Sequence, residues 1–350
     1  MEPLVSIVTP SYNQGHFIER TILSVRNQDY PKIEHIVMDG GSTDNTLSIL
    51  KKYEDSITWR SETDKGQSDG INKGFLNSNG EILAWLNSDD TYCPGAVRKV
   101  AEFLLENPDV GMVYGDCFIV DEMDTVIGRW VDSMDFDLDL LTNKVLNFIP
   151  QPTAFFRRKV LDTVGLLDAD LEMAMDYDFW IRVGKKFKVK RIPEVLASFR
   201  LSSNSKSVAA WSAFWPEVLS VLIKHCGLKP LPWYFKRYYG AAREHGCDPL
   251  PALSRLEQAI SEEPAFEPHK EAIRVKGLAQ ALMEAAFGEY LRNRRPDAIR
   301  NLILSLRTDP SLIGRKEWLT LGSKLLLGRT AIHGLKSRFP GRKLVRSHSC

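Results

Sequence analysis

Short apolar runs alternate with amphipathic segments through the first 116 residues, and most runs stop on a polar loop that carries an acid. Leu4 to Thr9 is β-branched and apolar, then gives way to Pro10-Ser-Tyr-Asn-Gln-Gly15. Ile18, Ile22 and Val25 recur at helical spacing before Pro31. Glu34 to Asp39 reads as a second strand, and Asp44 as the N-cap of a helix from Thr46 to Tyr53. A third strand, Ile57 to Ser61, precedes the polar loop around Asp64 and a helix through Asn72 to Phe75. The run Ile82 to Leu86 ends abruptly at Asn87-Ser88-Asp89-Asp90. A helix opened by Pro94-Gly95 then leads to a fifth strand, Val110 to Asp116. Such alternation with short connections predicts an α/β fold, a mostly parallel sheet with helices on both faces. Ligands of such sheets bind beyond the carboxyl ends of the strands. Ser11, Tyr12, Asp39, Asp64, Asp89 and Asp90 all fall there.

The pattern changes near residue 117. Phe118–Val120 and Val126–Trp130 read as a hairpin, Leu138–Val145 as a helix, and Gln151–Phe156 as a strand running into the helix Arg158–Val164. Asp176 and Asp178 open a further helix with Phe179 and Val183 on its apolar face. Lys188–Ile192 and Val195–Arg200 read as two strands, and the Ser/Asn-rich loop Ser202–Ser207 as a domain boundary. The expected division is 1–204, with halves of about 1–116 and 117–204, and 205–350. The second part is expected to be wholly helical. Leu278–Leu291 and Pro296–Leu306 resemble one tetratricopeptide-like hairpin. From Arg315 to Arg346 basic residues face the single acid Glu317, with Trp318, Leu321, Leu325, Leu326 and Ile332 between them.

A net charge of +1 gives no whole-molecule field to attract nucleic acid. The 5 cysteines are dispersed with no C-x-x-C pair, which argues against a zinc site and suits a reducing cytoplasm. Met1-Glu-Pro runs directly into a strand with no signal-like segment, and no apolar run approaches the roughly 20 residues of a membrane span.

Adjacent carboxylates at a strand end repel each other and cost desolvation. Asp89 and Asp90 therefore call for a positive partner, and a hard divalent cation completed by phosphate oxygens suits them. The plainer reading is a pair of caps ahead of Pro94. Asp39, beside Gly40 and Gly41, either accepts hydrogen bonds from a base or ribose or simply closes a turn. Asp64 carries the same two readings. Gln67, Asp69 and Asn72 either face a ligand or form a polar helix face. A helix N-terminus stabilises the first-turn acids Asp176 and Asp178, which keeps a general base ionised but weakens it. Trp180 either stacks on a sugar or belongs to the core. His16, His35 and His225 have no ligand-like spacing and read as structural.

Five segments, Val8-Thr-Pro-Ser-Tyr-Asn13, Met38-Asp-Gly-Gly-Ser-Thr-Asp44, Asp64-Lys-Gly-Gln-Ser-Asp-Gly-Ile-Asn-Lys-Gly74, Trp85-Leu-Asn-Ser-Asp-Asp90 and Met175-Asp-Tyr-Asp-Phe-Trp-Ile-Arg182, occur in order. Together they resemble the family 2 glycosyltransferases of bacterial polysaccharide and cell-surface glycan synthesis, over roughly Leu4 to Arg200. The resemblance implies a GT-A fold, a nucleotide-diphospho-sugar donor and Mg²⁺ or Mn²⁺. It implies that Pro10, Ser11, Tyr12, Asp39, Asp64, Gln67, Asn72 and Asp89 bind the donor. It makes Asp90 a metal ligand, with Asp89 on the ribose, the metal or the metal's waters, the two roles being left open by Asn87 in the place of the first acid, and Asp176 the base of an inverting transfer. Asp178, Arg182 and Arg200 are expected in support, Asp178 pairing with Arg182 and Arg200 reaching the diphosphate. The chain departs from the family at Asn87, where some members carry an acid, and at Met175, where a Glu is usual. The implied acceptor is a growing glycan or a lipid-linked saccharide. The basic, Trp/Leu-containing tail either lies on an anionic inner membrane or forms a soluble helical cap with a solvated basic face.

Three other readings compete. A sugar-phosphate nucleotidyltransferase would open with a basic, Gly-rich phosphate loop, but Pro10–Gly15 holds no Arg or Lys. An oxidoreductase would show G-x-G-x-x-G after the first strand, which is absent. An inactive, transferase-like interaction protein is disfavoured by the retained acids Asp39, Asp89, Asp90 and Asp176.

Overall fold

A computed structural model describes residues 2–130, 134–202, 211–244, 249–262, 264–323 and 325. The chain divides into two compact units, Met1–Gly227 and Leu228–Cys350. The helix α8, Trp211–Cys226, thus belongs with the first unit, although it lies past the expected division at 204. Most of the expected boundary loop lies outside the described residues.

In the first unit the strands β1 (Val5–Ser11), β2 (Ile33–Asp39), β3 (Thr58–Ser61) and β4 (Ile82–Trp85) are parallel, in the order β3-β2-β1-β4. Their register aligns the carboxyl ends: Ser11 faces Asp39, and Asp39 faces Ser61. Beyond β4 the sheet is mixed. The strand β8 (Phe155–Arg157) runs antiparallel between β4 and β6 (Val110–Val120). The last strand, β9 (Lys188–Arg200), is parallel to β6, while the short β5 (Thr91–Tyr92) and β7 (Val126–Arg129) pair antiparallel with β9 and β6.

Two expected elements differ. The strands expected at 188–192 and 195–200 are one strand, with its register against β6 jumping from Ile192 to Val195. Pro193 lies at the jump; it has no N–H to give a ladder and is tolerated at such an irregularity. Gln151–Thr153 is a 3-10 turn rather than strand, with Pro150 before it and Pro152 inside it.

Alternation along β4 sends Ala84 and Leu86 to one face of the sheet and Trp85 to the other. The first face packs on Val97, Val100, Ala101 and Leu104 of α4 (Ala96–Glu106). On the second face the Trp85 ring stacks on Trp180 at 5.2 Å and 18°, with Phe75, Phe156 and Phe179 edge-on around it. Trp180 comes from α7 (Met175–Gly184) and Phe75 from α3 (Gln67–Leu76). Trp180 is therefore core and offers no face to a sugar. All five rings are fully buried, and aromatic pairs of this kind contribute about 0.5–1.5 kcal/mol each beyond area burial.

The second unit is helical in its described residues. Its expected hairpin is present as α11 (Ala279–Leu291) and α12 (Arg295–Thr308), after α9 (Leu231–Glu244) and α10 (Pro249–Glu262). Ala286, Ala298, Leu302, Leu321 and Leu325 form one core, with Trp318 packed against it. Of the apolar residues of the basic segment, Leu321 and Leu325 are thus buried inside the unit. The rest of that segment lies outside the described residues. No described helix is long and apolar enough to cross a membrane.

Gly74 sets how closely α3 lies on β1, because a Cβ there would fall 2.3 Å from Val8 Cγ1 and 2.9 Å from Cγ2. Overpacking of this kind costs about 1–3 kcal/mol. Gly74→Ala should lower the urea midpoint accordingly; an unchanged midpoint would show that the helix shifts without cost.

Candidate functional site

The strand ends of the first unit converge on a set of acids. Asp39 is buried, and its Oδ2 accepts from Gly41 N at 3.1 Å, Ser42 N at 2.9 Å and Ser61 Oγ at 2.6 Å. Its Oδ1 accepts from Ser42 Oγ at 2.5 Å. The turn thus fixes the carboxylate. The same turn is stitched to the loop after β1: Asn13 N donates to Ser42 Oγ at 2.7 Å, and Gly15 N to Asp44 Oδ2 at 2.9 Å. Asp44 Oδ1 accepts from Thr46 N at 3.0 Å, although Asn45 occupies the N-cap of that helix. Beside this turn Ser11 Oγ is buried with no hydrogen-bond partner among the described residues, and Tyr12 is 62% exposed. A buried hydroxyl without a partner and an open aromatic face are what a bound base can complete.

Asp64 lies against Gly40 and Gly70. Cβ atoms on those glycines would sit 2.9 and 3.2 Å from its Oδ2, so the absent side chains bring three segments together. Gln67 Nε2 donates to Asn87 Oδ1 at 2.7 Å, which ties α3 to the end of β4. Asn72 turns elsewhere. Its Nδ2 donates to Leu167 O at 2.9 Å, and its Oδ1 accepts from Leu167 N at 2.9 Å. It anchors the loop ahead of α7 and does not offer its amide to a ligand. Asp69 accepts from Lys65 N and pairs with Lys73.

Asp90 is 1% exposed. Its Oδ1 accepts from Arg200 N at 2.9 Å, and its Oδ2 lies 3.4 Å from Asn87 Nδ2. Asp89 is half-buried. Burial pushes the Asp89 carboxyl up, and burial with the Asp89 charge pushes Asp90 well above the usual carboxylate range. Arg200 offsets only part of this cost. Its side chain is fully enclosed, with Nε donating to Asp89 O at 2.9 Å, Nη1 to Asp121 O at 2.6 Å, Nη2 to Asp124, and its guanidinium 4.9 Å from the centre of the Phe17 ring. Arg200 therefore braces the acid turn from behind rather than extending to a diphosphate. Among the described residues no group of three or more His, Cys, Asp or Glu side chains could hold a metal unaided. Two carboxylates form an incomplete, all-oxygen set, the kind Mg²⁺ or Mn²⁺ takes when waters and phosphate oxygens supply the remainder.

Asp176 is half-buried at the start of α7. Its Oδ1 accepts from Tyr177 N at 2.6 Å, and the Asn147 side chain donates to it. Burial outweighs these bonds and lifts its pKa to about 6. The sequence expectation of a helix-stabilised, weaker base thus has the wrong sign. Asp178 is 0% exposed and behaves in the opposite way. Burial alone would raise it, but His225, Arg182 and Lys224 outweigh burial and hold it far below the usual range. Arg182 Nε lies 2.7 Å from its Oδ2, the expected i,i+4 pair. His225 Nε2 lies 2.8 Å from its Oδ1. Arg182 also donates to Val164 O at 2.6 Å and Leu166 O at 3.0 Å, so this pair is a structural clamp.

Sequence reasoning passed over Asn147 and Gln151. Gln151 Nε2 donates to Trp85 O at 2.9 Å, and its Oε1 accepts from Asn87 Nδ2 at 3.0 Å. One short segment thus holds Asp176 at one end and the acid turn at the other. The flanking Pro150 and Pro152 were the only signal of a fixed turn there.

The glycosyl transferase family 2 model matches residues 6–165. An uncharacterized glycosyltransferase of Mycobacterium tuberculosis is 32% identical over 203 residues, covering 56% of this chain and 75% of the relative. The putative teichuronic acid biosynthesis glycosyltransferase TuaG of Bacillus subtilis is 30% identical over 221 residues, covering 61% of this chain and 84% of TuaG. Among solved structures, residues 1–349 of S. aureus TarS in complex with UDP-GlcNAc match with a TM-score of 0.57 at 16% identity, covering 85% of this chain and 89% of that one. That likeness supports the GT-A fold.

Arg200→Ala should lower stability by about 2 kcal/mol or more, since hydrogen bonds to a charged group contribute about 1.5–3 kcal/mol each. Arg200→Lys should restore only part of it, because an ammonium cannot reproduce the guanidinium fork. Normal stability with a selective loss of nucleotide affinity would instead place Arg200 on the ligand.

Proposed function

Because the chain belongs to glycosyltransferase family 2 and is by that membership a glycosyltransferase, we propose that it is a metal-dependent, inverting enzyme with Asp176 as general base. The donor is a nucleotide-diphospho-sugar held beyond the strand ends. Ser11 and Tyr12 receive the base, Asp39 and Asp64 line the nucleoside side, and Asn87 is fixed by Gln67 and Gln151. Asp89 and Asp90 would hold Mg²⁺ or Mn²⁺, which when bound neutralises charge on the leaving diphosphate. Asp89 is the better candidate for direct contact, because both Asp90 oxygens face internal donors. Asp176 takes the proton of the acceptor hydroxyl as its oxygen attacks the anomeric carbon and the bond to the diphosphate breaks. One displacement inverts that carbon.

The observation that carries the reading is the Asp176 carboxyl, lifted to about 6 and oriented by Asn147 and Tyr177 N. A base poised near the working pH combines the ionised form with useful proton affinity. The acceptor proposed is a growing cell-surface glycan or a lipid-linked saccharide, in line with the teichuronic acid named for TuaG. The reaction is placed in the cytoplasm, at the inner face of the membrane for a lipid-linked acceptor.

A melting-temperature screen with UDP-, GDP- and dTDP-sugars, with and without Mn²⁺, identifies the donor. Asp176→Asn should then lower kcat by about 10²–10⁴-fold while the nucleotide still binds. The sign of the pH effect follows from the raised pKa. Asp176 is ionised and competent above about 6, and kcat should fall tenfold per unit below that. A flat acid limb, or an active Asp176→Asn, would remove Asp176 from the mechanism.

The same screen separates the two acids. Asp89→Asn should abolish the Mn²⁺-dependent part of the shift. Asp90→Asn should weaken it and also change the metal-free melting temperature, since Asp90 is internally bonded. Loss of the Mn²⁺-dependent shift in both variants alike would argue for joint ligation, and equal effects with and without Mn²⁺ would argue against either acid as a ligand.

A further inference from the structure

The segment ahead of α7 is held from two sides. On the α3 side Asn72 bonds both backbone groups of Leu167, and Ser68 Oγ donates to Leu171 O at 2.9 Å. On the other side stands α8. Three successive backbone N–H groups converge on one carboxylate there: Glu172 N donates to Glu217 Oε1 at 3.1 Å, and Met173 N and Ala174 N to Oε2 at 2.8 and 2.9 Å. Successive N–H groups of this kind form an anion-binding concavity. The N-cap residue Ala174 has no side chain with which to cap α7 itself. Lys224 and His225 lie seven and eight residues beyond Glu217 on α8, on about the same helix face. Lys224 Nζ reaches Asp168 Oδ2 at 2.9 Å, and His225 Nε2 reaches Asp178 Oδ1 at 2.8 Å. One helix face therefore grips residues 168, 172–174 and 178, on both sides of Asp176 in sequence.

We infer that Glu217 is a positioning residue for Asp176, and that α8 is a working part of the transferase unit. The inference rests on the reading of Asp176 as the base. Glu217 touches no substrate in this scheme. It fixes the backbone two to four residues before Asp176, and so sets where that carboxylate meets an acceptor hydroxyl. A misplacement of about 1 Å can cost on the order of 10²-fold in rate, which gives these three backbone contacts leverage over catalysis.

The test compares Glu217→Ala, Glu217→Gln and Asp176→Asn in the full chain, following nucleoside diphosphate release from the donor found by the screen. Nucleotide Kd and the nucleotide-binding fraction are measured on the same samples. Glu217→Ala should lower kcat per binding-competent molecule by about 10–100-fold, with nucleotide Kd within about twofold, since the donor-side residues are untouched. Glu217→Gln keeps one carbonyl acceptor and should fall between Ala and the parent. If Glu217→Ala yields no binding-competent protein, Glu217→Gln and Glu217→Asp decide, and both should show reduced kcat at unchanged Kd. Parent-like kcat in the Glu217 variants beside an inactive Asp176→Asn would overturn the inference and leave the base intact. An active Asp176→Asn would instead remove the reading on which it stands.

Discussion

The stack of Trp85 on Trp180 fixes the chemistry in space. Trp85 ends β4 two residues before Asn87, and Trp180 lies four residues after Asp176 on the same helix face. One aromatic contact therefore sets the register between the acid turn and Asp176. Phe75, Phe156 and Phe179 enclose both indoles. Cores packed this densely resist a slide, because a shifted ring leaves a void on one side and a clash on the other. The polar link from Asn147 to Gln151 runs in parallel with the stack, and two connections of different chemistry define one geometry.

Around that frame the unit tolerates an expensive feature. Adjacent, largely buried carboxylates at Asp89 and Asp90 are destabilising without a counter-charge, and both rise above the normal range as a result. A fully enclosed Arg200 provides part of the compensation from the protein side, through its positive charge near both acids and its backbone N–H on Asp90. The open remainder of the charge is what a cation and a diphosphate can satisfy. Holding the turn rigidly from behind keeps the carboxylates in place without neutralising them.

Much of this was legible in the sequence, and the rest was hidden for identifiable reasons. The position of Asp39, Asp64 and the Asp89-Asp90 pair at or just beyond strand ends was legible because a strand that stops on an acid is a local pattern, and strand ends converge in any α/β sheet. Asp178 with Arg182 was found because i,i+4 pairing is local. Asn72 and Arg200 were misassigned because polar type and position do not say which way a side chain turns. Each instead satisfies backbone groups of a segment distant in sequence, at Leu167 and at Asp121. Gln151, Asn147 and Glu217 were passed over for the same reason. The extent of the first unit was misjudged because a polar loop near 204 marks a break in composition, whereas the contacts of α8 continue the unit beyond it.

Asp176 and Asp178 show why local position could not assign roles. They lie two residues apart in the first turn of one helix and share whatever that N-terminus provides. Yet burial lifts Asp176 to about 6, while three basic side chains pull Asp178 far down. The consequences for stability are opposite in sign. The depressed Asp178 stabilises the fold above the unfolded carboxylate pKa of about 3.9 and loses that contribution as pH falls through its folded value. The raised Asp176 costs stability once pH exceeds about 3.9, where it ionises in the unfolded chain before it does in the folded one, and the full cost is reached above about 6. Divergent pKa values in neighbouring acids assign roles: Asp178 remains charged and structural at every working pH, while Asp176 can accept a proton within the physiological range. The fold carries the stability cost of Asp176, which the clamp on Asp178 partly offsets.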